Sequence, residues 1–434
     1  MRTLLNIPGT FWFEDNEKNK FSGTIIEKNN HYFLKTDIKM EDYAKYYNKE
    51  IIIGDFNKTK VTLYKCQLWN LFETLTFSIE YIFKNYDYNS SLKFKEVTLR
   101  FHYLENWIRN KKNFKMNIKE NYEEFLEYKS VKFKLKKFEI IFSIANSINS
   151  TNISFCVKPY YLIQFFYESK TSIEEILNDI RMTKMFLTFL MNNETGIKLM
   201  NCRVDDEFNP FKKIEVFSKL FDKPLNEINT FNILIEFDEI ADKQSIFKNW
   251  FKINDKYKPL IDIYFMNFTN ESNPEYELLS YTQALESYLR KDEKYIDKYM
   301  EIEEYEKIKN QITEIIDNLK ITEDHKNSLK NKIKFGNEIS LRKRLKELIN
   351  DLNDYEIITK LIDGNKNKFI SAVVDTRNYY THYDESSNFK KDTGKLNILN
   401  FKLKILIELI ILRELNFNKR FIDEKLKIKY ENKL

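Results

Sequence analysis

The spacing of apolar residues changes partway along the chain. In the first part they come in short alternating or β-branched runs. Val131-Lys132-Phe133-Lys134-Leu135-Lys136 alternates strictly, the period-two signature of a strand with one buried face. Residues 21–26, 31–34, 51–54, 61–69, 74–83 and 92–104 are similar runs bounded by Asn, Asp, Gly and Lys clusters. Residues 153–166 form another, in which Pro159 implies an edge or a bulge. Many short strands with turn residues between them predict a sandwich-like domain or a barrel.

Beyond this the period lengthens. Ser172 caps a predicted helix that runs to about Met191. Residues 232–268 read as partly helical. After Pro274 there is no further proline, and Lys, Glu, Leu and Ile dominate, which predicts helices. We place these at 275–291, 299–319, 323–334, 340–350, 367–382 and 396–415. Leu278, Tyr281, Leu285, Tyr288 and Leu289 make one apolar stripe on the first of them. The expectation is an α+β chain in three parts. A β-rich, sandwich-like domain covers 1–168, a mixed α/β connector covers 169–270, and an all-α bundle covers 271–434.

Composition narrows the chemistry. Seventy-one basic against 66 acidic residues give a net charge of +5, which permits an anionic partner without requiring one. The odd number of cysteines, three, argues against a disulfide framework and fits a reducing, cytoplasmic setting. The four histidines are widely spaced, so neither a zinc site nor any other metal or cofactor is expected. The most apolar helical run, Leu403–Leu415, is interrupted by Lys404, Glu408 and Arg413 and is too short to span a bilayer. It reads as a core helix, and no membrane partner is expected.

One run carries candidate chemistry: Asp375-Thr376-Arg377-Asn378-Tyr379-Tyr380-Thr381-His382. A histidine can take and give a proton near neutral pH. An arginine presents a planar fork that matches phosphate oxygens. On a regular helix, residues five apart point about 140° away from one another. For Arg377 and His382 to meet on one phosphate, the helix must be distorted or a second copy must contribute. Asn378 and Asp375 lie four and seven positions before His382, on its face, and are candidates to orient the imidazole.

These residues resemble the HEPN superfamily, whose signature is Arg, a polar residue, then His, late in a helical bundle. Tyr281–Leu289 is similar to the family's first helix, with Glu286 at its acidic position. Ser340–Leu345 is similar to a middle helix. Pro8-Gly9-Thr10-Phe11-Trp12-Phe13, followed by Phe21–Ile25, resembles the start of the N-terminal domain of ApeA-type anti-phage HEPN proteins. The resemblance implies a homodimer, or a higher homo-oligomer, in which two copies' Arg–His pairs meet in one composite cleft. It also implies metal-independent cleavage of RNA, with transfer RNA a candidate target, in abortive infection switched on by a phage-derived trigger. Glu286 would then orient Arg377.

Further candidates for RNA contact are Tyr379, Tyr380 and Tyr383, by stacking on bases, and Lys132, Lys134 and Lys136, by contacts to phosphates. The plainer reading of the lysines is a solvated strand face, and of the tyrosines helix packing. The alternative for the whole chain is a non-catalytic HEPN dimerisation or binding protein with a ligand-binding β domain. Trp12 would serve that domain as a stacking platform.

Overall fold

The structure, a computed structural model, describes residues 5–6, 8–29, 31–56, 59–70, 73–86, 91–108, 130–150, 155–204, 212–221, 232–269, 273–295, 297–382 and 392–430. The chain forms two compact units, Met1–Phe247 and Lys248–Leu434.

In the first unit, the described strands β1 (Pro8–Phe13), β2 (Phe21–Lys28), β3 (His31–Lys39), β4 (Ile51–Phe56), β5 (Thr59–Asn70) and β6 (Thr74–Lys84) close into an antiparallel barrel. The alternation along β6 shows why. Leu75, Phe77 and Ile79 are buried while the residues between them are not, so one face fills the interior. Phe11, Phe13, Ile25, Leu34, Ile52 and Leu63 meet them there. Each such side chain contributes about 1.5–3 kcal/mol on burial.

Closure depends on β6 dividing one of its edges. Thr74–Ile79 pair with β3, and Tyr81–Lys84 pair with β12 (Lys213–Ser218). From there an open sheet continues through β11 (Ile197–Arg203), β7 (Lys93–Phe101), β10 (Phe155–Ser172), β9 (Phe138–Ser150) and β8 (Val131–Lys134). The architecture is therefore a barrel continuous with an open sheet, the second of the two forms that the strand pattern allowed. Pro159 lies in β10 ahead of the first β7 pairing at Ile163, where β9 flanks the strand. The segment 169–270, expected as a connector, supplies β11 and β12 to the middle of this sheet.

Glycine is needed where the barrel wall is tightest. A Cβ on Gly54 would lie 2.6 Å from the ring of Phe11, which is itself fully buried. We expect Gly54→Ala to destabilise the barrel by about 1–3 kcal/mol through overpacking, read as a lower urea midpoint. Trp12, on the opposite face of β1, is buried with Lys20 and Lys60 ammonium groups 4.8 and 5.0 Å from its ring. It is not an open stacking platform.

Helix α3 (Ile173–Met191) begins as expected, with the Ser172 hydroxyl accepting from the Glu175 amide at 3.3 Å. Among its described residues the unit also holds the one-turn α-helices α1 (Tyr43–Tyr46) and α2 (Leu104–Trp107) and the start of α4 (Gln244–Lys256). The Trp107 indole donates to the Ile235 carbonyl at 2.8 Å.

The second unit is helical: α5 (Lys258–Thr269), α6 (Pro274–Lys291), α7 (Ile302–Asp317), α8 (Glu323–Lys334), α9 (Leu341–Asp351), α10 (Glu356–Leu361), α11 (Lys366–His382), α12 (Thr393–Glu414) and α13 (Lys419–Tyr430). Residues Leu403 to Leu412 of α12, apart from half-buried Lys404, are buried, so the helix is enclosed on all sides. No helix among the described residues is long and apolar enough to cross a membrane. Two charges of α12, Glu408 and Arg413, are held in buried or half-buried pairs. The Glu408 carboxylate accepts from the Tyr264 and Tyr430 hydroxyls at 2.8 and 2.7 Å and from the Lys429 ammonium at 2.9 and 3.0 Å. Arg413 binds Asp351 at 2.5 Å and the Tyr288 hydroxyl at 2.6 Å.

Candidate active site

Helix α11 is fixed by an apolar face. Phe369, Ile370, Val373, Val374 and Tyr380 are buried. The other face carries Lys368, Ala372, Asp375, Tyr379 and His382 at spacings of four and three, which align them in one stripe. A matching stripe on α12, Lys395, Ile398, Leu399 and Lys402, faces it across a cleft of about 870 Å³. Asn378, Phe369 and Leu396 also line this cleft.

The helix is α-helical through His382, with no distortion between Arg377 and His382. His382 is exposed and lines the cleft, whereas Arg377 is half-buried and is not among its lining residues. The Arg377 guanidinium donates to the Asn378 side-chain oxygen at 3.1 Å and forms no ion pair among the described residues. One chain thus carries the two groups on different sides of α11, as five-residue spacing requires.

The expected supports are engaged elsewhere. Asp375 lines the cleft, but its carboxylate accepts from Arg342 of α9 at 2.8 Å, and Arg342 also donates to the Ser371 hydroxyl at 2.6 Å. These contacts tie α11 to α9. Asn378 is taken by Arg377. Among the described residues, the His382 imidazole therefore has no hydrogen-bond partner. Glu286 binds Arg290 at 3.0 Å, one turn along α6, and Arg290 reaches Glu338 at 3.1 Å. It does not contact Arg377, because the nearer guanidinium on its own helix satisfies it.

The aromatic candidates separate. Tyr380 is buried, edge-on to Tyr379 with ring centroids 5.1 Å apart, so it packs the bundle and cannot stack on a base. Tyr379 is half-buried on the cleft wall. Tyr383 lies outside the described residues. Lys132, Lys134 and Lys136 are exposed, with Phe133 and Leu135 buried behind them, as the alternation predicts. They belong to the first unit, on and just after β8, the last strand of the sheet among the described residues. The Gln244 side-chain amide occupies part of that strand's edge, accepting from the Lys134 amide at 3.0 Å and donating to its carbonyl at 2.5 Å.

Sequence reasoning missed the cations of the second wall. Lys402 pairs with Asp363 at 2.6 Å and Lys395 with Asp392 at 3.3 Å. Lys368 forms no ion pair among the described residues. The signal was present in the spacing of residues 395, 398, 399 and 402, but only the juxtaposition of α11 and α12 gives it meaning.

This arrangement, a helical bundle with a half-buried arginine and an exposed histidine late in its penultimate long helix, is that of a HEPN domain. Residues 279–421 match the Apea-like HEPN family. Residues 6–250, more than half of the chain, match ApeA N-terminal domain 1, and their end falls within three residues of the boundary between the two units. The chain belongs to the ApeA family, with the domain order of anti-phage HEPN proteins. No curated protein and no solved structure matches it.

Proposed function

We propose that the chain is a metal-independent endoribonuclease of anti-phage defence that acts as a homodimer. The observation that supports this reading best is the placement of Arg377 and His382 on different sides of one undistorted HEPN helix, both accessible. Neither copy alone assembles the pair, and a two-fold axis at α11 supplies each His382 with the other copy's Arg377. His382 withdraws the proton from a ribose 2′-hydroxyl, and the oxygen attacks the adjacent phosphorus. A histidine also protonates the departing 5′-oxygen. Arg377 neutralises the charge that grows on the non-bridging oxygens. The products are a 2′,3′-cyclic phosphate and a 5′-hydroxyl. Transfer RNA is a candidate substrate. Sequencing RNA ends after induction tests this: cyclic-phosphate ends must accumulate with wild type, and 3′-hydroxyl ends would contradict the mechanism.

Cleavage of host RNA is toxic, so the nuclease is held off until a phage component binds, and the first unit is the part available to sense it. We expect residues 248–434 alone to arrest growth without phage, while the full chain does not. Equal toxicity of the two would contradict the restraint. The engagement of Asp375 and Asn378 away from His382 favours a second reading, a non-catalytic HEPN binding protein. In that case substitution of His382 leaves RNA ends and growth unchanged.

A further inference from the structure

Helices α7 and α8 form a hairpin whose core is too small for its apolar content. They pack chiefly on each other. Ile316 is the one buried hydrophobic side chain of α7, and α8 has none. Two helices of 16 and 12 residues are marginal without further packing. Yet the hairpin is held firmly at its base. Lys298 and Glu338 form an antiparallel bridge, and the buried Asn337 side chain donates to the Met300 carbonyl at 2.9 Å and accepts from the Met300 amide at 3.0 Å. Fully buried Arg344 adds an ion pair to Asp297 at 2.5 Å. The arm presents exposed Ile308, Ile315 (62 % exposed), Leu319 and Leu329.

These residues share a face. On α7, Glu304, Ile308 and Ile315, with Leu319 just past its end, lie within about 60° of one another. On α8, Leu329 and Lys332 do the same. Tyr305, whose hydroxyl donates to the Ile333 carbonyl, marks the seam between the antiparallel helices. Both stripes lie about a quarter turn from that seam, on the same side. The charges differ by helix. Helix α7 holds five acidic and two basic residues, whereas α8 holds four basic and two acidic. Glu304 and Lys332 sit at the same end, and neither forms an ion pair among the described residues.

We infer that this face is a self-association surface, on which a second copy of the chain seats its own hairpin. A two-fold axis parallel to the helices lays α7 of one copy over α8 of the other. Ile308 then meets the partner subunit's Leu329, with Ile315 two turns further along the same stripe, and Glu304 meets the partner subunit's Lys332. An axis across the helices would instead oppose α7 to α7, acid to acid, so the charges select the first arrangement. The product is a four-helix contact of the kind in which antiparallel amphipathic helices bury their stripes.

The test is sedimentation of the full chain over a range of concentrations. Ile308→Lys with Ile315→Lys must lower the average mass, raising the apparent dissociation constant about tenfold or more. Glu304→Lys and Lys332→Glu must each weaken assembly, and the two reversals together must restore it. Circular dichroism separates a misfolded hairpin from a lost contact, and the double reversal supplies a second, surface-only readout. Equal masses for all variants, or a double reversal no better than the single ones, would overturn the inference. So would variants of unchanged mass that lose only their response to phage, which would assign the face to a foreign protein. The inference stands on α7 and α8, so its failure leaves the reading of α11 untouched.

Discussion

His382→Ala is expected to lower RNA cleavage by about a hundred- to ten-thousand-fold, the range contributed by a positioned acid–base group. Stability should change by no more than ~0.5 kcal/mol, because the imidazole is exposed and among the described residues bonds to nothing. Arg377→Ala should give a loss of similar kind through kcat, since the guanidinium acts on charge that exists only as the phosphorane forms. Arg377→Lys should recover little, because an ammonium cannot reproduce the fork. Cleavage rates on total RNA, with unfolding curves for the same proteins, check both halves of the expectation. A variant at position 382 that keeps its rate would transfer the chain to the binding-protein reading.

The largest effect on stability is expected at Glu408. Its carboxylate is fully buried and binds Lys429 and two tyrosine hydroxyls. Glu408→Ala removes the carboxylate that neutralises the largely buried Lys429 ammonium and accepts from both tyrosine hydroxyls, which costs about 3–5 kcal/mol. For a unit of this size the corresponding fall in Tm is about 6–20 °C. The pair also makes stability depend on pH. Burial alone raises the carboxyl's proton affinity, but Lys429, Lys404 and the Tyr430 hydroxyl overcome it and hold the group below the ordinary carboxylate range. The unfolded state therefore binds the proton more readily than the folded one. The stabilisation is complete above about pH 4 to 5, the unfolded value, and is lost as pH falls through the depressed folded value. Asp351 acts in the same direction: burial raises it, and Lys294, Tyr295 and Arg413 bring it below its ordinary value. Acid titration of the helical unit should steepen in that window, and Glu408→Gln should flatten it. A wild-type curve with no acid dependence there would contradict the assignment.

What the sequence disclosed was local. Alternation along β6 and β8, the Ser172 cap on α3 and the run that became α11 are each read within a few residues. What it withheld depends on distant pairings. Nothing near Thr74 shows that β6 will hold β3 on one half of an edge and β12 on the other. Helices α4 and α5 blurred because their aromatic residues, from Trp250 to Phe268, suit a strand as well as a buried helix. Short α10 and the lysine-rich α13 were missed, since Ile422, Leu426 and Tyr430 gain their meaning from packing beside α12.

The candidate site divides the same way. The five-residue spacing of Arg377 and His382, and its consequence on a helix, follow from the order of residues alone. The occupation of Asp375 by Arg342, 33 positions away, does not. Nor does the cationic wall of α12. Glu286 shows the limit of carrying a role over by position, since a salt bridge within α6 claims it, and Tyr380 shows that residue type alone does not separate a stacking ring from a core one.

The central claim is that Arg377 of one copy works with His382 of another. Mixing purified Arg377→Ala and His382→Ala proteins tests it most directly, after exchange of subunits. Each is inactive alone, but their mixed dimer contains one intact pair, so cleavage with cyclic-phosphate ends must return. If the mixture stays as inactive as its components while mixed dimers are shown to form, the pair does not act across two copies, and the account is wrong.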